Sequence, residues 1–198
     1  MLRAFIAIQL SDDLKRQIEC VQSDLKRQAA RLGGGGGIAW TRPEGIHLTL
    51  KFLGDISEAQ VEPLAALLRN AASQVGPFTV EARGVSAFPN SRAPRVIWLG
   101  LHGGARDMEA LRRLQTEIEE GAAILDFPKE SRAFTPHLTL ARVRDRRPAA
   151  LLEKILAESG ERVVGRWTAA TASLIKSELR PSGAVYTTLV EVPLGGGV

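Results

Sequence analysis

His47-Leu48-Thr49-Leu50 occurs a second time in this chain, as His137-Leu138-Thr139-Leu140. The second copy begins 90 residues after the first, a little under half of the 198-residue length. Each copy also follows a nearby proline, Pro43 or Pro136. A four-residue motif that returns at half-chain spacing predicts an internally duplicated domain with one functional strand in each half.

The composition is that of an ordinary globular protein, with 44% hydrophobic and 24% charged residues. Its length allows one large domain or two small lobes that share a core. The single cysteine, Cys20, excludes an internal disulfide and a cysteine-based zinc site, and it fits a reducing compartment. The apolar run Phe5 to Ile8 is too short for a signal sequence or a membrane span. We therefore expect a cytoplasmic protein with no membrane partner.

The chain is basic, with a net charge of +4 and a pI of about 9.6. Arginine carries most of this charge, with 20 arginines against 6 lysines. Because arginine binds phosphate with a planar pair of donors, a nucleic acid or nucleotide partner is compatible with this balance. Charge alone favours the simpler interpretation that these side chains are solvated.

The hydrophobic pattern predicts an α+β fold. We expect a bilobal, duplicated fold in which two mostly antiparallel sheets face a central cleft and helices pack on the outer sides. Residues 1–198 would form one two-lobed domain, with motif strands near 46–53 and 136–143. The first motif strand is expected to stop at Gly54-Asp55. The glycine run from Gly33 to Gly37 lacks the Lys-Ser/Thr ending of a phosphate-binding loop, and we interpret it as a connector.

Alternate side chains of a strand share a face, so His47 and Thr49 are predicted to point into the cleft. Leu48, Leu50 and Phe52 would then point into the core. The second copy predicts the same arrangement for its histidine and threonine. If the halves are related by a pseudo-twofold axis, two histidines and two threonines converge on one cleft.

Two imidazoles that face one cleft can serve as a general base and a general acid. Two hydroxyls between them can donate hydrogen bonds to phosphate oxygens, which suits cleavage of a phosphodiester without a metal ion. A metal site is less well supported, because the only other histidine is His102, and Asp55 and Asp145 are predicted to be turn or cap residues. A serine triad lacks its Gly-x-Ser-x-Gly segment. A lone histidine would favour a structural role, but packing gives no reason to repeat both the histidine and the threonine.

The two motifs with their flanks, Trp40 to Gly54 (WTRPEGIHLTLKFLG) and Phe134 to Arg142 (FTPHLTLAR), resemble the signature segments of a known family. That family is the RNA 2′,3′-cyclic phosphodiesterases, formerly called 2′-5′ RNA ligases, of the two-histidine phosphoesterase superfamily. Arg95 to Gly100, Ser177 to Leu179 and Tyr186 also fit, so the resemblance spans nearly the whole chain.

The resemblance implies hydrolysis of the 2′,3′-cyclic phosphate end of an RNA or oligonucleotide to a 2′-phosphate, with no cofactor and no metal. The same site could also join such an end to a 5′-hydroxyl, which is 2′-5′ ligation. By position, His47 would be the proton donor and His137 the proton acceptor. Thr49, Thr139 and Arg142 would bind the substrate, and we expect a monomer.

Several neighbouring residues are harder to assign. Strict alternation places Arg142 on the face opposite His137, so either the strand twists or bulges after Thr139 or Arg142 forms a structural ion pair. The same alternation places Lys51 on the cleft face. A cluster of arginines could guide an RNA backbone or could be a run of solvated charges: Arg142, Arg144, Arg146 and Arg147. Trp40 and Phe134 could stack on a base, but packing in the core is the preferred interpretation of both.

Two alternatives to this function remain open. The chemistry could act on another substrate, such as a small cyclic nucleotide, a 2′-5′ oligonucleotide or an ADP-ribose cyclic phosphate. The second alternative is an RNA-binding module without catalysis, although such a module would not need both proton-transfer groups.

Overall fold

A computed structural model describes residues 1–31, 36–144, 149–181 and 183–195, without the side chains of residues 149–151. Within these ranges it contains four α-helices: α1 (Asp12–Arg31), α2 (Val61–Ser73), α3 (Ala105–Ile124) and α4 (Ala149–Ser159). The strands are β1 (Leu2–Gln9), β2 (Ile38–Trp40), β3 (His47–Ile56), β4 (Phe78–Phe88), β5 (Val96–His102), β6 (His137–Val143), β7 (Val163–Ala169), β8 (Thr171–Arg180) and β9 (Gly183–Pro193). Most of the glycine run, and Asp145, Arg146, Arg147 and Pro148, lie outside the described residues.

The strands form an antiparallel sheet with the order β7-β4-β5-β6-β3-β1-β8-β9, and β2 pairs with β6. Half of this sheet contains the first motif strand, β3, with β1, β8 and β9. The other half contains the second motif strand, β6, with β5, β4 and β7. A single residue pair, Leu48 with Leu138, joins β3 to β6. The predicted α+β fold is confirmed, and the two predicted sheets are continuous through this pair of motif leucines.

The helices cover the sheet on the side of the main core. Helix α1 contacts β7 and α4, whereas α2 contacts β8, β9 and α3. The predicted helical stripes are buried where they meet the strands, as shown by Leu14, Ile18, Leu64, Leu111 and Leu114. Leu48, Leu50, Leu138 and Leu140 all belong to this core, so the motif leucines anchor both strands as predicted. Among the described residues, no helix is both long and apolar enough to cross a membrane.

The first motif strand is longer than predicted. It continues through Gly54 and Asp55 to Ile56, and Asp55 pairs with Arg3 of β1, so the prediction of a turn or cap at Asp55 is wrong. Gly54 has a φ of 75°, a backbone conformation that glycine adopts readily. The register with β1 shifts by one residue beside it, so the strand bulges and then resumes pairing.

The two motif strands have matching partners. His47 and Thr49 pair with Gln9 and Ala7 of β1, while His137 and Thr139 pair with Gly100 and Trp98 of β5. Both strands carry a one-residue register shift at the same place, beside the second leucine of the motif. Internal duplication stays a prediction, and these matching registers support it.

Candidate active site

One open cleft of about 520 Å³ contains all five predicted site residues. Strand β3 contributes His47 and Thr49, and β6 contributes His137, Thr139 and Arg142. The four motif side chains are half-buried, while Leu48 and Leu138 on the opposite faces are fully buried. The alternation of the strand therefore places an imidazole and a hydroxyl from each half-sheet in the same cleft.

Arg142 reaches the cleft because β6 bulges. In the pairing with β5, Trp98 lies opposite Thr139 while its neighbour Ile97 lies opposite Ala141, so Leu140 is an extra residue. Leu140 and Ala141 are both buried, and Arg142 is exposed on the cleft side. The bulge is thus one of the two outcomes left open by the sequence, and it resolves the apparent conflict between alternation and a cleft position.

The same bulge in β3 overturns two predictions. Ala7 lies opposite Thr49 while Ile6 lies opposite Lys51, so Leu50 is the extra residue. Lys51 consequently points into the core and not into the cleft, and it is 5% exposed. Phe52, predicted to be buried, lines the cleft and is 66% exposed.

The backbone at the β6 bulge is held by a buried glutamine of α1. Gln22 is 1% exposed, and its amide nitrogen donates to the carbonyl oxygens of Leu140 at 2.9 Å and Thr41 at 2.8 Å. The Leu140 carbonyl also accepts a hydrogen bond from the Thr41 N–H at 2.9 Å. Since a buried carbonyl needs a partner, these bonds stabilise the local geometry that turns Arg142 toward the cleft.

Lys51 has a different role from the one predicted. Its ammonium group donates to a Glu119 carboxylate oxygen at 2.5 Å and to the Pro128 carbonyl at 2.6 Å. The same Glu119 oxygen accepts the Glu130 N–H at 2.5 Å. This network ties β3 to α3 and to the segment that leads into His137. A buried charge requires such partners, and here they fix the chain ahead of the second motif.

Both histidines are held by their Nδ1 atoms. His47 Nδ1 lies 2.8 Å from the Gly45 carbonyl oxygen, and His137 Nδ1 lies 2.7 Å from the Thr135 carbonyl oxygen. A carbonyl only accepts, so Nδ1–H is the donor in each case. In the neutral ring, Nε2 then carries the lone pair and can take a proton, and in the charged ring Nε2–H can give one.

The surroundings of the two imidazoles differ. The His47 ring stacks on Phe5 at 4.5 Å, with Tyr186 edge-on at 5.2 Å. Burial lowers its pKa to about 4, although the Gly45 carbonyl acts in the other direction. The His137 ring lies edge-on to Phe88 at 5.0 Å. Burial also lowers the pKa of His137, and the positive charge of Arg142 lowers it further.

Some cleft residues were not predicted from the sequence to belong to the site, although Tyr186 had been noted as fitting the family. Arg3, Phe5 and Tyr186 line the cleft, from strands that carry no motif. Burial raises the pKa of Tyr186, while Arg142 and Arg3 oppose that shift, so both guanidinium groups act on the same hydroxyl. The signal available in the sequence was the alternation of Arg3, Phe5 and Ala7 on one face of β1.

Other candidates have structural positions. Trp40 and Phe134 pack against the main core, which confirms the preferred interpretation of both. Trp40 also lies beneath the ammonium group of Lys26 at 5.5 Å. Within residues 1–31, 36–144, 149–181 and 183–195, no three His, Cys, Asp or Glu side chains are grouped so that they could hold a metal ion.

The arrangement matches a known family. The sequence model of the family described as LigT like phosphoesterase matches residues 8–98 and 105–186 of this chain. These residues include both motif strands and most of the cleft. The chain belongs to this family. As a LigT-like phosphoesterase, it conforms to the two-histidine pattern predicted from its motifs.

Proteins similar to this phosphoesterase come from several organisms. The RNA 2′,3′-cyclic phosphodiesterase of Methanothermobacter thermautotrophicus is 32% identical over 95% of this chain and 96% of its own. The protein of that name from Aeropyrum pernix is 39% identical over 75% of this chain and 82% of its own. The crystal structure of E. coli LigT complexed with 3′-AMP has a TM-score of 0.72 at 23% identity and covers 98% of this chain and 99% of that one. That likeness extends the shared fold across nearly the whole molecule.

Proposed function

We propose that this protein hydrolyses the 2′,3′-cyclic phosphate ends of RNA to 2′-phosphates by metal-independent acid–base catalysis. The observation that carries the proposal is the placement of two Nδ1-anchored histidines and two threonines in one cleft. The relatives named RNA 2′,3′-cyclic phosphodiesterase support this substrate.

In the proposed reaction, His137 takes a proton from water through Nε2 as the water oxygen attacks phosphorus. Arg142 supports this role, because its positive charge favours the neutral form of His137. The bond from phosphorus to the 3′-oxygen breaks, and His47 gives that oxygen a proton. Burial is the main cause that lowers the pKa of His47. The negative charge of a bound phosphate opposes this shift, because it favours the protonated form.

Thr49 and Thr139 would donate hydrogen bonds to the non-bridging phosphate oxygens. Negative charge on these oxygens grows as the fifth oxygen arrives, so donors fixed on two strands stabilise the transition state more than the ground state. Arg142 would add a positive charge to the wall of the cleft that β6 forms, where His137 also lies.

The roles of the two histidines can be separated with a modified substrate. Replacing the 3′-oxygen of the cyclic phosphate by sulfur gives a thiolate leaving group, which needs little protonation. We expect His47→Ala to lose most activity on the oxygen substrate and recover much of it on the sulfur substrate. His137→Ala should stay inactive on both. Equal recovery in the two variants would contradict the assignment, and undiminished activity of both variants on the oxygen substrate would reject the catalytic proposal.

Two further measurements test the proposal. Product analysis should find the phosphate on the 2′-oxygen, since the bond to the 3′-oxygen is the one that breaks. Activity should survive EDTA, and a loss that a divalent ion restores would contradict metal independence.

We propose 2′-5′ ligation as a second activity of the same site. A 5′-hydroxyl that replaces water as the nucleophile would give its proton to His137, and the resulting bond would join the 2′-phosphate to the 5′-oxygen. A labelled 5′-hydroxyl oligonucleotide, incubated at high concentration with a cyclic-phosphate end, should yield a product that resists enzymes specific for 3′-5′ links. If only the hydrolysed end forms, ligation is refuted and hydrolysis stands.

A further inference from the structure

The cleft has an apolar wall on the side of the first half-sheet. Six large hydrophobic side chains are exposed among the described residues, and half of them line this cleft: Phe52, Leu179 and Tyr186. Leu179 is 73% exposed and makes no contribution to the two-histidine chemistry proposed above. Exposed apolar side chains gathered in a concave site indicate a surface that a ligand covers.

A positively charged side chain lies on the same wall. Arg3 of β1 lines the cleft. Asp55 of β3 lies opposite it in the strand pairing, but in the described part of the chain Arg3 forms no ion pair. Its charge acts on the hydroxyl of Tyr186, as does that of Arg142. Among the described residues, neither Arg3 nor Arg142 forms an ion pair with a carboxylate, so the cleft presents two such guanidinium groups, one from each half-sheet.

Strand geometry sets Arg3 apart from the catalytic histidines. Phe5 stacks on His47, and Arg3 precedes Phe5 by two residues on the same face of β1. Two residues along a strand correspond to about 7 Å. Arg3 thus lies one side-chain repeat further along β1 than Phe5, the residue that stacks on His47. Such a spacing suits the next phosphate of the same RNA strand.

We infer that Arg3, Leu179 and Tyr186 form a subsite for the nucleotide that precedes the cyclic-phosphate end. The Arg3 guanidinium binds the internucleotide phosphate, and the exposed side chains of Leu179 and Tyr186 cover the sugar or base. Arginine suits phosphate, and apolar or aromatic surfaces accept any base, so the subsite selects for RNA length and not for sequence. This inference rests on the proposed function and specifies its substrate as an oligonucleotide.

The test compares two substrates that differ by one nucleotide: cytidine 2′,3′-cyclic phosphate and the dinucleotide CpC with a 2′,3′-cyclic end. The readout is the ratio of kcat/KM for the dinucleotide to kcat/KM for the mononucleotide. We expect this ratio to be about tenfold or more in the wild-type protein and to fall toward 1 in Arg3→Gln. Arg3→Lys should retain part of the preference, because it retains the charge.

Two more variants separate charge from apolar contact. In Arg3→Gln, the dinucleotide's kcat/KM should depend less on salt, with a log–log slope shallower by about 0.7. Leu179→Ser should lower the ratio without changing that slope. The control is Arg112→Gln on α3, an exposed arginine outside the cleft that pairs with Glu109, and it should leave the ratio unchanged.

A wild-type ratio near 1 would overturn the inference, as would an Arg3→Gln variant with the wild-type ratio. Equal losses on both substrates would also overturn it, because Arg3 would then act at the cyclic phosphate itself. In each of these cases the mononucleotide is still hydrolysed, so the proposed function survives. If the wild-type protein hydrolyses neither substrate, the proposed function fails with the inference.

Discussion

Replacing Lys51 by methionine should be strongly destabilising, although Lys51 immediately follows the first motif and its charge is absent from the second. The Lys51 and Glu119 side chains are 4% and 13% exposed, and their charged atoms lie 2.5 Å apart. Methionine keeps most of the aliphatic length but leaves the Glu119 carboxylate buried without its cation. Removal of one partner of a buried ion pair costs about 3–5 kcal/mol.

The assay is equilibrium unfolding in urea, followed by circular dichroism. The matched control is Lys15→Met, which removes the partner of Asp12, a carboxylate that is 86% exposed and stays solvated without it, so the change should cost about 0.5 kcal/mol or less. The double variant Lys51→Met/Glu119→Leu removes both charges, and it should recover much of the loss, because an apolar pair is compatible with the buried site.

A functional effect should accompany the loss of stability. The Pro128 carbonyl and the Glu130 N–H belong to the segment before Thr135, whose carbonyl holds His137 Nδ1. Well below the unfolding temperature, Lys51→Met should therefore have a lower kcat than Lys15→Met. If Lys51→Met costs less than about 1 kcal/mol, or if the double variant is less stable than the single one, the reasoning about this pair is wrong.

Three other predictions follow from the cleft. Thr49→Val and Thr139→Val should each lower kcat/KM by roughly 10- to 150-fold without changing the fold, and a change below twofold would remove the hydroxyls from the mechanism. The pH profile of kcat/KM should be bell-shaped, with its maximum between about 4 and 6.5. The base must be neutral, so activity falls at low pH, and the acid must be protonated, so activity falls at high pH. Arg142→Gln removes a charge that lowers the pKa of His137, so the inflection that titrates with His137 should move to higher pH, and an unmoved inflection would refute that coupling. Gln22→Met should cost about 1–3 kcal/mol in urea unfolding, because Leu140 and Thr41 lose a buried donor, and a neutral result would show that the bulge does not need it.

The sequence was sufficient to predict which strand faces carry the motif histidines and threonines, because alternation within a strand is a local property. Their convergence on one cleft was predicted from the repeat and not from alternation. The sequence was not sufficient for Lys51 and Phe52, because a bulge depends on the partner strand. The second copy did contain a signal: Leu140 and Ala141 are consecutive apolar residues ahead of Arg142, which breaks the alternation. In the first copy a lysine occupies the equivalent place, and its charge conceals the same break.

Long-range support for the site was also beyond local patterns. Gln22 meets Leu140 across 118 residues of chain, and Lys51 meets Glu119 across 68. Each is a polar residue within an apolar core, and the sequence alone does not show which carbonyl or carboxylate it will reach. Both roles depend on how α1 and α3 pack against the sheet, which only the three-dimensional structure shows.

The repeat makes the two histidines look equivalent, yet an acid and a base must differ. The motif itself supplies no difference, since both rings are anchored through Nδ1 to a carbonyl two residues earlier. The difference lies two residues after the bulged leucine of each strand, where Phe52 and Arg142 occupy corresponding positions 90 residues apart. Arg142 adds a positive charge that lowers the pKa of His137, whereas burial beside Phe5 and Tyr186 lowers the pKa of His47. In the proposed mechanism the negative charge of the substrate raises the pKa of His47. In the proposed reaction, a nearly symmetric scaffold therefore supports two different roles, because residues outside the repeated motif give the two imidazoles different surroundings.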